Sequence, residues 1–141
     1  MPAARNKLHC AAEIAAVSPT LKLITVGRGG PVNINVDAAT RHGVRVSNAP
    51  GRNATSTAEH SVAMILAAVR QLVDRHNELV AGAWRGDYYA YENVAPEVRG
   101  ATVGLIGYGA VGSWVARILN AMGAHVLAYD PYVAAADMPD A

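Results

Sequence analysis

The chain has 141 residues, 52% of them apolar and 16% charged, with 12 basic side chains against 11 acidic ones and a formal net charge of +1. It can bury one domain's worth of apolar surface, whereas a complete two-domain enzyme needs roughly twice the length. Without a basic stripe or aromatics interleaved with arginine, nucleic acid is excluded as the expected partner. The longest apolar run, residues 62–69, is too short to cross a bilayer, so no membrane partner is expected either.

Cys10 is the lone cysteine, and His9, His42, His60, His76 and His125 lack metal-ligand spacing. The expectation is no metal site, no internal disulfide and a cytoplasmic location.

In chain order, Ala11 to Val17 reads as the end of a helix closed by Ser18 and Pro19. Leu21 to Val26 reads as a buried strand, followed by a glycine-rich corner. Val36 to His42 predicts a short helix with Asn35 as N-cap and Gly43 as its stop, and Val44 to Ser47 predicts the next strand. Together these form a β-loop-α-β unit of a parallel sheet.

Ser56 and Glu59 suggest a capping box, and the apolar stripe from Val62 to Val80 predicts one continuous helix ending at Gly82. At 1.5 Å per residue it would be roughly 37 Å long. Residues 84–100 hold four of the eight aromatics and show little periodicity, which predicts an ordered arm. Tyr88, Tyr89 and Tyr91 read equally as interface anchors or as a loop packed on its own domain.

The stretch VGLIGYGAVG, residues 103–112, carries the strongest chemical signal. The strand Thr102 to Ile106 runs into Gly107, Gly109 and Gly112, and a helix closed by Gly123 follows. Gly107 permits a tight turn, Gly109 has no Cβ to hold a pyrophosphate away, and Gly112 lets the helix pack close to the strand. Gly107, Tyr108, Gly109, Ala110, Val111 and Gly112 thus predict a dinucleotide turn, with the phosphates on a helix N-terminus.

A second strand, His125 to Tyr129, ends at Asp130. A carboxylate there can accept the hydroxyls of an adenosine ribose. The adjoining Pro131, Tyr132 and Val133 offer no arginine to balance a 2′-phosphate, so the expected cofactor is NAD, held by Asp130 and Pro131 together with the turn.

The runs LKLITVGRGGPVNINVDAATRHGVRVSNAPGRNATSTAEH and GAWRGDYYAYENVAPEVRGATVGLIGYGAVG, and the strand ending YDPY, resemble the D-isomer-specific 2-hydroxyacid dehydrogenases, the group that includes phosphoglycerate dehydrogenase. The resemblance covers about residues 11–133. It implies an α/β fold with a Rossmann-type parallel sheet, part of a two-lobe dehydrogenase. Residues 1–50 would be a partial substrate-binding, flavodoxin-like lobe. Residues 51–141 would be a partial NAD-binding lobe beginning with an interlobe helix.

The same resemblance places the substrate carboxylate on the corner Arg28, Gly29, Gly30, Pro31, Val32 and Asn33. Consecutive amides freed by glycine can form an anion-binding nest there, although Pro31 contributes no N–H. Arg28 could add a charge-assisted bond, or could be a surface cation at a strand end.

The implied activity is NAD-dependent interconversion of a D-2-hydroxy acid and its 2-keto acid, in a protein that is a homodimer at full length. The family's histidine, glutamate and arginine fall after the position of Asp130, so no catalytic residue is expected among these 141. A lobe cut after its second strand leaves sheet edges unpaired and apolar faces uncovered. The chain alone is therefore expected to be inactive. The alternative is a non-catalytic NAD-binding or subunit-interaction fragment. A different Rossmann enzyme, such as an adenosylhomocysteinase-like hydrolase, explains the glycines and Asp130 but not the other two runs.

Overall fold

The computed structural model describes residues 20–141. The expected helix end at Ala11 to Val17, with Ser18, Pro19, His9 and Cys10, lies outside the described residues. The chain divides into two compact units, with the boundary along the sequence between Asn53 and Ala54.

In the first unit, strand β1 (Leu23–Val26) is followed by helix α1 (Val36–Arg41) and strand β2 (Arg45–Asn48). The strands pair in parallel, with Leu23 opposite Arg45 and Val26 opposite Asn48. Asn35 caps α1 as its sequence position predicts, its Oδ1 accepting the Ala38 N–H at 2.9 Å. Ala39 and Val44 are buried against Leu21, Ile24, Ile34 and Val46, which fixes the helix on one face of the strand pair.

The second unit opens with helices α2 (Ala54–Val69) and α3 (Leu72–Val80). Strand β3 (Thr102–Ile106), helix α4 (Ala110–Ala121) and strand β4 (His125–Tyr129) follow. The two strands are again parallel, with Thr102 opposite His125 and Ile106 opposite Tyr129. Alternation along the strands turns Val103, Leu105, Val126 and Ala128 toward α2 and α4. There they meet Ala58 and Val62 of α2 and Val115, Ala116 and Leu119 of α4. Their opposite face carries Ile106, 94% exposed, with Leu127 and Tyr129 also uncovered among the described residues.

Two expectations are corrected here. The helix begins at Ala54, so Ser56 lies inside its first turn and not at the N-cap. The single helix to Gly82 is instead two helices broken at Gln71, the one described non-glycine residue with positive φ, at 54°.

A long-range contact and a local one stand at the break. The Arg70 guanidinium donates to the carbonyls of Ala95 and Pro96, at 3.3 and 3.2 Å, while Arg75 donates to Gln71 Oε1 at 2.5 Å. These bonds favour a kink that no glycine or proline announces. Beyond it the apolar stripe no longer faces the core: α3 has no buried residue, and Val80 is 73% exposed.

The arm, residues 84–100, is irregular apart from one 3-10 turn, Tyr91–Asn93. A polar cluster binds its start to α3. Glu78 accepts from Tyr88 Oη at 2.8 Å, from Arg75 at 3.2 Å and from Arg85 at 3.3 Å, and Arg85 also pairs with Asp87 at 2.7 Å. The Arg75 guanidinium lies 4.3 Å from the centre of the Tyr88 ring.

Candidate cofactor site

The site grows from the end of β3. Gly107 donates its N–H to the Tyr129 carbonyl at 2.7 Å, the last bond of the strand pair, and leaves the strand with φ of 102°. Few residues other than glycine adopt that angle without strain.

The chain then enters α4 at Gly109, where no side chain caps the first turn. The helix start is pressed against the turn. A Cβ on Gly112 would stand 2.1 Å from the Gly107 oxygen, so this glycine permits the close approach of helix and strand.

In front of the turn there is room. A Cβ on Gly109 would meet nothing within 4 Å, and Ala110 beside it is exposed. Val111 is half-buried and packs against the core, so what it turns toward an anion is its backbone. Uncapped amides at the positive end of a helix favour a phosphate at this place.

Asp130 closes the other side. Its Oδ2 accepts the Tyr108 N–H at 2.7 Å and its Oδ1 accepts the Tyr132 N–H at 2.8 Å. These backbone donors, that of Tyr108 first, hold its carboxyl below the usual aspartate range, so it is an anion at neutral pH. Pro131 next to it is exposed.

Tyr108 is placed differently from its neighbours in the turn. Its side chain is only 6% exposed and belongs to the same core cluster as Met138 and Leu119. Its side chain is therefore packed away from a dinucleotide, and its N–H is already taken by Asp130. The ring ends at Asp140, which donates its N–H to Tyr108 Oη at 3.2 Å. Nothing in the sequence signals this contact, because it joins positions 32 residues apart.

The second predicted site, Arg28 to Asn33, belongs to the first unit. The Arg28 carbonyl accepts the Ala49 N–H at 2.9 Å, and Asn48 Nδ2 donates to the Gly29 carbonyl at 2.7 Å. The corner is thereby held to the end of β2 and the residue after it. Gly29 has open space where a Cβ would stand, and Val32 is exposed. Asn33 Oδ1 is buried without a hydrogen-bond partner, a polar atom whose desolvation is uncompensated. Among the described residues no group of three or more metal-binding side chains is found, and no helix is long and apolar enough to cross a membrane.

Residues 62–140, more than half of the sequence, match the family description "D-isomer specific 2-hydroxyacid dehydrogenase, NAD binding domain". The chain belongs to this family.

Among curated relatives, it is 45% identical over 125 residues to D-3-phosphoglycerate dehydrogenase of Mycobacterium leprae, matching 89% of this chain and 23% of that protein. It is 40% identical over 129 residues to the enzyme of the same name from Archaeoglobus fulgidus, covering 92% and 24% of the two chains. It thus spans about a quarter of the length of these relatives.

The fold is that of solved dehydrogenases. A D-lactate dehydrogenase from Aquifex aeolicus, crystallised with NAD and lactic acid, superposes with a TM-score of 0.77 at 32% identity, covering 91% of this chain and 38% of that one. A D-2-hydroxyisocaproate dehydrogenase gives 0.79 at 29% identity, covering 92% and 39%. The expected Rossmann-type α/β fold is therefore the observed one.

NAD is the cofactor of this 2-hydroxyacid dehydrogenase domain. The residues present fit it on structural grounds: open space before Gly109, an uncapped helix start and an ionised carboxylate at the end of β4.

Proposed function

We propose that these residues are the cofactor-binding part, with a portion of the substrate-binding part, of an oxidoreductase that interconverts a D-2-hydroxy acid and its 2-keto acid. The observation that carries the reading is the glycine turn, with open space before Gly109 and Asp130 ionised at its side.

Gly107, Gly109, Gly112 and the backbone of Ala110 and Val111 would hold the pyrophosphate, Tyr108, whose N–H is taken by Asp130, would shape the turn, and Asp130 with Pro131 would hold the adenosine ribose. NAD supplies the hydride acceptor or donor when bound. The chain's own part is to orient it and, through the Arg28 to Asn33 corner, to hold the substrate carboxylate on backbone amides beside a cation.

By the family resemblance, the substrate is a small 2-hydroxy or 2-keto acid, and residues 1–50 and 51–141 are parts of the substrate and NAD lobes. The chain alone binds NAD without turning substrate over, and the whole protein is a cytoplasmic homodimer. Support for the dimer comes from α3, whose Leu72, Val73, Leu79 and Val80 are more than half exposed, and from Trp84 at 88% exposure.

The test is an NADH titration of the 141-residue chain, followed by turnover with NAD and a panel of 2-hydroxy acids for a protein that contains this chain. Absence of NADH binding overturns the cofactor roles given to these residues. Absence of turnover with every 2-hydroxy acid overturns the reaction.

A further inference from the structure

We propose that Tyr108 is a positioning residue for the NAD turn, acting through its hydroxyl on Asp140, and this rests on the cofactor reading above. The two glycines bring no side-chain packing of their own. A Cβ on Gly107 or Gly109 would meet nothing within 4 Å, and glycine loses more conformational freedom on ordering than any other residue.

Tyr108 is the one side chain between these two glycines, and it is fixed at both ends. Its backbone N–H is bound by Asp130 at 2.7 Å. At the far end its hydroxyl accepts the Asp140 N–H at 3.2 Å and lies 3.4 Å from Asp140 Oδ2, to which it can donate.

Asp140 is itself tied to the cofactor helix. Asn120 Nδ2 donates to the Asp140 carbonyl at 2.6 Å, and Arg117 Nε stands 3.9 Å from its carboxylate. Both side chains belong to α4, whose N-terminus faces the turn. The connections therefore run in a closed circuit from the turn through Tyr108 and Asp140 to α4 and back to the turn.

Burial alone would be served by leucine or phenylalanine. The hydroxyl adds a specific anchor that an apolar side chain lacks, and it holds the turn in shape before the phosphates arrive. An ordering cost met in the free protein is no longer charged against cofactor binding.

The experiment compares the 141-residue chain with Tyr108→Phe, Asp140→Ala and the double variant, measuring dissociation constants for NADH and for adenosine together with thermal unfolding. Loss of one hydrogen bond at the anchor should weaken NADH about fivefold. Adenosine, which has no phosphate for the turn to receive, should bind all the variants as it binds the parent chain. The double variant should lose no more than Tyr108→Phe, because Asp140→Ala removes only the Oδ2 contact and keeps the backbone N–H bond to the hydroxyl, both of which Tyr108→Phe already abolishes.

Equal weakening of NADH and adenosine would reduce Tyr108 to a general structural role, and unchanged NADH affinity would remove it from the site; either result overturns the proposal. Amide hydrogen exchange at Gly107 and Ser113 in the ligand-free chain is a second readout, independent of the cofactor. Faster exchange in Tyr108→Phe is expected, and unchanged exchange overturns the positioning role. A parent chain that binds no NADH overturns the cofactor reading, and the exchange result then still decides whether Tyr108 orders the turn.

Discussion

Asp130 accepts the backbone N–H of Tyr108 at 2.7 Å, so the residue that follows β4 holds the turn that follows β3. On the proposed reading one carboxylate would serve two parts of the cofactor, accepting from the ribose and shaping the turn that receives the phosphates. Asp130→Ala should weaken NADH by about tenfold or more, as expected for loss of charge-assisted bonds. Adenosine binding should fall as well, which separates this variant from Tyr108→Phe. Isothermal titration with both ligands checks the pair of effects.

The same contact sets a pH dependence. The folded-state pKa of Asp130 is depressed by backbone donors below the ordinary 3.8. Its stabilising contribution is therefore present above that value and disappears as pH falls through the lower folded-state pKa. NADH affinity should show no step from neutral pH down to the ordinary aspartate range. A step in affinity above that range, absent from Asp130→Asn, would show that Asp130 is not held as a buttressed anion.

Gly112→Ala should damage fold and cofactor binding together. Its Cβ would stand 2.1 Å from the Gly107 oxygen, a backbone atom that cannot swing aside, so α4 must move away from β3. Overpacking of this kind costs about 1–3 kcal/mol. Urea unfolding should register that loss, and NADH titration should show binding reduced well beyond what the stability change predicts.

Leu119 is fully buried, at 0% exposure, in the last turn of α4. Leu119→Ala should lose about 2–5 kcal/mol of stability, as other core leucine truncations do. It lies outside the turn, so folded protein recovered at low temperature should retain NADH affinity. Reduced affinity in the folded fraction would show that core packing and the turn are coupled.

Glu78 gathers Tyr88, Arg75 and Arg85 around one carboxylate, and the Tyr88 hydrogen bond, then that of Arg75, holds its carboxyl below the usual glutamate range. Glu78→Ala should release residues 84–93 from α3, seen as faster amide exchange across that stretch. NADH affinity should stay unchanged, because none of these groups contacts the turn. Unaltered exchange would mean that the arm is held by packing and not by this cluster.

Local sequence rules placed β3 and β4 at their observed limits, put Asn35 at the cap of α1 and located the glycine turn. Each depends on near neighbours: alternating apolar residues, an N-cap three positions before the amide it binds, and glycines spaced to suit one turn. The broken helix at Gln71, the exposed stripe of α3 and the buried side chain of Tyr108 were not legible in this way. Arg70 reaches carbonyls 25 and 26 residues away, and Tyr108 meets a partner 32 residues away. A periodic pattern reports which face of a helix is apolar, but not whether the chain will supply something to cover it. The sequence by itself determined the two parallel strand pairs, the glycine turn and the aspartate that follows β4. Only the tertiary structure decided where the helix breaks and what anchors the turn, because those outcomes depend on hydrogen bonds between residues that only folding brings together.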